Sequence, residues 1–277
     1  MKIVADTSTL YTPEEGKAID LTVLPLSVTV NGKTYVEYVD ITSKEFVDIV
    51  RAGGVPTSSQ PSVGGYIDTF EKTEEEDTIV LCMADGLSGT YQSAVGARNS
   101  VAKNEHIHVI NTKTLCGPHR YMVNKALKMK SEGVSFAEIK AEMEMLCDNN
   151  ISFLIPSDFD FLKRGGRLTP IAATALGMLK IVPIMTQTPD GKRLESFGIK
   201  RTHKKAIEAI CGKLDEMGVN ENYLISVSHA DVKEQAVATV NQISEHFPNT
   251  KIELLDLSPA FITQGGPGCI AVQAIKL

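Results

Sequence analysis

The chain has 277 residues, 43% hydrophobic and 22% charged, with a formal net charge of -6. That length holds one large domain or two modest ones with a sizeable core, and the acidic balance argues against nucleic acid or an anionic membrane as the main partner. The cysteines, Cys82, Cys116, Cys147, Cys211 and Cys269, are odd in number and scattered without a CxxC, the pattern of a reducing compartment rather than of a disulfide framework.

The N-terminal MKIVADTS lacks the apolar core of a signal peptide. The longest apolar run, Ile171 to Met185, is broken by Lys180 and Pro183 and cannot span a bilayer. A soluble, cytoplasmic protein is the expectation.

In chain order, Lys2 to Ala5 is a short strand, and Asp6-Thr7-Ser8 turns out of it. Leu21 to Val30 reads as one strand, followed by the hairpin signal Asn31-Gly32 and a return over Lys33 to Val39. Thr42 with Glu45 forms a capping box for a helix that ends near Gly53-Gly54. Val55 to Ser62 is a polar, proline-broken loop, and Ser62 caps a helix over Val63 to Glu75. The acidic run Glu74 to Asp77 reads as a solvated face. Thr78 to Met83 is a buried strand, Tyr91 to Lys103 a helix and His106 to Asn111 a strand, the signature of a parallel sheet. Helices over Tyr121 to Gly133 and Phe136 to Asn149 and a strand over Ile151 to Ile155 complete an α/β domain, residues 1–155, with a small β-hairpin excursion near 21–40.

The pattern then changes to an α+β domain, residues 156–277. It opens with a helix from Asp158 that stops at Gly165-Gly166, and another started by Thr169-Pro170. Ile181 to Gln187 and Arg193 to Lys200 flank a Pro189-Asp190-Gly191 hairpin. Helices over His203 to Met217 and Lys233 to His246 alternate with strands over Tyr223 to His229 and Ile252 to Leu257, and the last strand is Cys269 to Ile275.

The sharpest chemical feature is Ser88-Gly89-Thr90, at the C-terminal end of a parallel strand and the start of a helix. Free N–H groups there stabilise an anion, and ligands of open parallel sheets collect at that edge. A simple helix cap accounts for the same residues. A serine hydrolase built on Ser88 is the rival, but Gly86-Leu87-Ser88-Gly89-Thr90 misses the GxSxG elbow by one position, and nothing singles out a base among His119, His203 and His229. Lys163 to Arg167, KRGGR, offers arginines for carboxylate or phosphate, or only cations at a helix C-terminus. Ser58-Ser59-Gln60-Pro61-Ser62 places hydroxyls on a loop, and Gln264-Gly265-Gly266-Pro267-Gly268 reads as a flexible connector. His106 and His108 alternate on a strand without an evident third metal ligand. There is no Walker A motif, and no cofactor or metal is expected.

Taken together, these segments resemble the DegV family over nearly the whole chain. The resemblance is carried by Asp6-Thr7-Ser8, Ser58 to Ser62, Leu87 to Ala94, Leu162 to Arg167, Lys200-Arg201 and Gly266-Pro267-Gly268. It implies two domains with a lipid site between them, and a non-enzymatic protein that binds a long-chain fatty acid. The bound carboxylate would be presented to a separate ATP-dependent fatty acid kinase subunit, and the acyl phosphate would pass to phospholipid synthesis; transient membrane contact is compatible with this.

Ser58, Ser59 and Ser88, with Gly89 and Thr90, match the head-group segment, and Arg167 and Arg201 match arginines linked to the phosphorylated head group and to kinase docking. Two positions depart from the family pattern. Gln264 stands where the family usually has histidine, so lipid binding survives but phosphotransfer is in question, and a carrier or sensor without a kinase is the alternative. Asp85 stands where serines are frequent and would repel a carboxylate unless turned away. Ile171, Ala172, Leu176, Met178, Leu179, Ile181, Ile184 and Met185 are available to line an acyl tunnel, although core packing accounts for them equally well.

Overall fold

The computed structural model describes residues 1–73, 75–174 and 181–277. The N-terminal half contributes β1 (Lys2–Asp6), α1 (Pro13–Ala18), β2 (Thr22–Leu24), β3 (Ser27–Val30), β4 (Lys33–Val36), α2 (Ser43–Arg51), β5 (Thr57–Ser59), α3 (Val63–Glu71), β6 (Thr78–Cys82), α4 (Thr90–Ser100), β7 (Ile107–Asn111), α5 (Cys116–Ser131) and α6 (Phe136–Leu146). An all-parallel sheet runs in the order β2-β1-β6-β7. Both its faces are covered, which explains why its strands read as continuous apolar runs. Val4, Val80 and Cys82 pack against α3 and α4, while Ile3, Ala5, Ile79 and Leu81 face α5 and α6.

Leu21 to Val30 is not one strand. Pro25 has no N–H to give to a ladder, and the N–H of Leu26 donates instead to the Thr7 hydroxyl at 2.9 Å. The chain therefore leaves the parallel sheet after β2 and begins a separate antiparallel sheet, β4-β3-β5. Its hairpin has Asn31 and Gly32 at positive φ, as a two-residue turn of this type requires. The Thr42–Glu45 capping box forms as expected, with Thr42 Oγ1 accepting from Glu45 N and Glu45 Oε2 from Thr42 N.

The second half supplies β8 (Asn150–Ile155), α7 (Phe159–Gly165), α8 (Pro170–Thr174), β9 (Val182–Gln187), β10 (Leu194–Lys200), α9 (His203–Glu216), β11 (Tyr223–His229), α10 (Lys233–His246), β12 (Lys251–Asp256), α11 (Pro259–Gly265) and β13 (Ile270–Lys276). Its mixed sheet runs β10-β9-β8-β13-β11-β12. The strand Ile151 to Ile155, expected to close the N-terminal unit, instead pairs antiparallel with β13 and β9 in this sheet. Short apolar strands do not declare their partners, and the C-terminal strand captures this one. One face of the sheet is covered by α9 and α10 through residues such as Phe153, Ile184, Val227 and Val272. The alternate residues face the N-terminal half, where α5 also lies against β11 and β13.

Candidate functional site

The ends of these elements enclose a cavity whose space, the open solvent at its mouth included, is about 900 Å³. It lies between the inward face of the six-stranded sheet and a wall made by β5, the 84–90 turn and the start of α5. Most of the lining is apolar and includes Leu26, Met83, Leu115, Leu154, Met185, Leu257, Phe261 and Ala271. Ser58, Ser59, Gln60, Ser88, Arg167 and Gln264 also line it.

The 84–90 turn follows β6, and its N–H groups at Leu87 and Ser88 return to the Ala84 carbonyl. Ser88 Oγ lies 2.8 Å from Thr90 Oγ1 and accepts from Thr90 N at 3.3 Å, while Gly89 caps α4 without a side-chain bond. Thr90 is fully buried, so it orients Ser88 from behind; neither it nor Gly89 lines the cavity. Asp85 is turned away, with both carboxylate oxygens accepting from Gln92 Nε2 at 3.1 and 3.3 Å.

Gly86 lets the β9–β10 turn close over this loop, since a Cβ built there would lie 2.0 Å from Lys192 Cα. Gly86→Ala should therefore displace the hairpin and destabilise the protein by about 1–3 kcal/mol, as overpacking does. Urea unfolding measures this, and an unchanged midpoint would contradict the close approach.

Arg167 follows the Gly166 C-cap of α7, which sits at φ 71. Its Nε donates to the Leu87 carbonyl at 3.1 Å, and its Nη1 to the Gly165 carbonyl. Two of five guanidinium donors thus fix the side chain on the cavity wall, leaving others for an anion. Gln264 is not on a flexible connector: it belongs to the last turn of α11, a helix announced by Ser258-Pro259 at its start. Its Nε2 reaches Thr263 Oγ1 at 3.2 Å and Ser58 Oγ at 3.4 Å, and its Oε1 is buried without a donor among the described residues. Gly165 makes room for it, since a Cβ there would meet Oε1 at 2.1 Å. Gln60 is a wall residue the sequence reading missed; it packs against Gly89 and donates to Ser93 Oγ at 3.4 Å.

Ser58, Ser59, Ser88, Arg167 and Gln264 therefore meet on one cavity. Arg201 does not line it; it is exposed just after β10, before α9. Of the expected tunnel residues, Met185 lines the cavity, whereas Ile184 alternates to the α9 side and Ala172 packs with Leu162 and Leu168. Ile171 and Ile181 are not lining residues, and Leu176, Met178 and Leu179 lie outside the described residues.

Ser88 has no histidine partner among the described residues. His119 is buried between Ser8 Oγ (2.7 Å) and the Leu81 carbonyl (3.1 Å), and burial pushes its pKa down. The carbonyl only accepts, so Nε2 carries the proton and Nδ1 accepts from Ser8. His203 bonds to Thr239, and His229 faces Asp256. His106 bonds to Thr73, and the His108 ring packs tilted against Phe136. The cysteines are buried and free; burial pushes the Cys116 thiol on the cavity wall up and Cys269 up to about 12, so neither is a thiolate at neutral pH.

The wall is braced by a buried carboxylate. Glu37 accepts from the Thr7 hydroxyl and from Ala260 N (2.9 Å) at the start of α11. Asp6 accepts from Ser8 N and Met83 N, tying the end of β1 to the end of β6.

Comparison with known proteins agrees with this architecture. A family model described as uncharacterised protein, DegV family, matches residues 1–277. A DegV domain-containing protein of Staphylococcus aureus is 30% identical over 99% of this chain and 98% of its own length. Among solved structures, the DegV fatty-acid-binding protein of Bacillus subtilis superposes with a TM-score of 0.85 at 26% identity, covering 100% of this chain and 99% of that one. A DegV family protein from Thermus thermophilus, solved for its fatty acid binding, gives 0.87 at 27%, with the same coverage. A stearic-acid-binding protein of Eubacterium ventriosum gives 0.87 at 25%, covering 99% and 98%. This chain belongs to the DegV family.

Proposed function

We propose that this protein binds a long-chain fatty acid in the cavity and presents its carboxylate to a separate ATP-dependent kinase subunit, without chemistry of its own. The observation that carries the reading is one largely apolar cavity that also presents Ser58, Ser59, Ser88 and Arg167. Hydroxyls and a guanidinium offset the cost of desolvating a carboxylate, while the chain contributes about 0.8 kcal/mol for each buried methylene. The fatty-acid-binding relatives of the same fold support it. In this reading Arg201, exposed outside the cavity, serves docking of the kinase rather than the ligand.

Gln264 favours a second reading, a carrier or sensor without kinase coupling, because a carboxamide neither carries charge nor shuttles a proton. Native mass spectrometry followed by organic extraction tests the ligand. A stoichiometric long-chain acid is expected, and a protein that neither carries nor takes up fatty acid refutes both readings. Acyl phosphate formation with a DegV-partner kinase and ATP separates them. If Gln264 limits coupling, Gln264→His raises that product severalfold; equal turnover by both forms excludes that limit.

A further inference from the structure

We propose that the inner wall of the cavity recognises a hydroxyl group on the acyl chain, through Gln273 and Ser152. This rests on the fatty-acid reading and adds the class of acid, a hydroxylated one. Gln273 and Ser152 are paired across β13 and β8, and both line the cavity. Gln273 is only 2% exposed. Its Nε2 donates to the Leu115 carbonyl at 2.9 Å and to Ser152 Oγ at 2.7 Å. A carbonyl oxygen only accepts, so the amide cannot be reversed, and Oε1 is fixed as the remaining group. That oxygen is buried, with no donor among the described residues.

A plain hydrocarbon chain leaves the acceptor unpaired, and a carboxylate, having no proton to give, cannot serve it. A secondary alcohol can: its O–H donates to Gln273 Oε1, and its oxygen accepts the Ser152 hydroxyl proton, which the bond from Gln273 leaves free. The pair is also set back from the Gln264 end. Ser157 N bonds to the Gly265 carbonyl, and Ser152 lies about 17 Å from there along the extended chain at roughly 3.3 Å per residue. The hydroxyl it reads is therefore far from the carboxyl carbon.

The test is titration of the wild-type protein, stripped of lipid, with stearic, 2-hydroxystearic, 10-hydroxystearic and 12-hydroxystearic acids. One of the mid-chain hydroxy acids should bind about tenfold more tightly than stearic acid, the scale of a satisfied against an orphaned buried group, with no such gain for the 2-hydroxy acid. Gln273→Met, which keeps the volume, should bring the ratio to one or below. Stearic acid binding as tightly as every hydroxy acid would overturn the inference and leave ordered water as the partner of Oε1, with the fatty-acid reading intact. Binding of none of the four would remove the fatty-acid reading and this inference with it. Should Gln273→Met fail to fold, the wild-type panel decides alone.

Discussion

Ala271→Phe will weaken long-chain fatty acid binding by about a hundredfold while leaving the protein folded. Ala271 lies on central strand β13, opposite Leu154, and both line the cavity. A phenyl ring there occupies space that an acyl chain would fill. Displacing about four methylenes at about 0.8 kcal/mol each removes about 3 kcal/mol, and each 1.4 kcal/mol is tenfold. Because the ring enters an existing cavity rather than a filled core, the usual overpacking penalty is largely avoided. Stearic acid titration, with circular dichroism to verify folding, measures the effect. Unchanged affinity in a folded variant would place the acyl chain elsewhere.

Glu37→Ala should destabilise the protein by about 3 kcal/mol at neutral pH, although Glu37 lies outside the cavity lining. It leaves the Thr7 hydroxyl and Ala260 N–H without their acceptor, and each orphaned buried group costs about 1–3 kcal/mol. Relief of the buried charge offsets part of that loss. Desolvation raises the Glu37 pKa from 4.5 to about 6, against the opposing hydrogen bonds from Thr7 and Ala260. Between those values the folded state holds more protons than the unfolded chain. The residue's contribution is therefore full below pH 4.5 and is lost as pH rises through 6, an effect of about 2 kcal/mol. Urea unfolding across this window should show the stability of wild type relative to Glu37→Gln falling by that amount as pH rises, and a constant difference would show that the carboxyl is not desolvated. Because α11 ends in Gln264, loosening of its start should also lower ligand affinity.

Much of the architecture was legible in local chemistry. The Thr42 capping box, the Asn31-Gly32 turn, Asp158 and Gly166 bounding α7, and the alternation of β6, α4 and β7 are each specified by a few neighbouring residues. Ser58, Ser59, Ser88, Arg167 and Gln264 came from their order along the chain, as motif segments rather than as a constellation.

What stayed hidden depends on distant partners. β5 is only Thr57–Ser59 and carries no apolar alternation; it is a strand because β3 pairs with it. β8 joins the second sheet because β13, more than a hundred residues later, supplies its ladder. Glu37 looks like an ordinary hairpin residue until Thr7, just after β1, and the start of α11 close on its buried carboxylate.

The sequence by itself determined the family and the kind of most elements, though not of α1, β5 or α11, because caps, glycine turns and hydrophobic period act within a few residues. Tertiary structure alone decided which strands share a sheet, which side of β9 faces the cavity, that Asp85 turns to Gln92 and that Arg201 stays outside it. Those outcomes follow from burial and from hydrogen-bond satisfaction between segments far apart in the chain, and such pairing leaves no local mark.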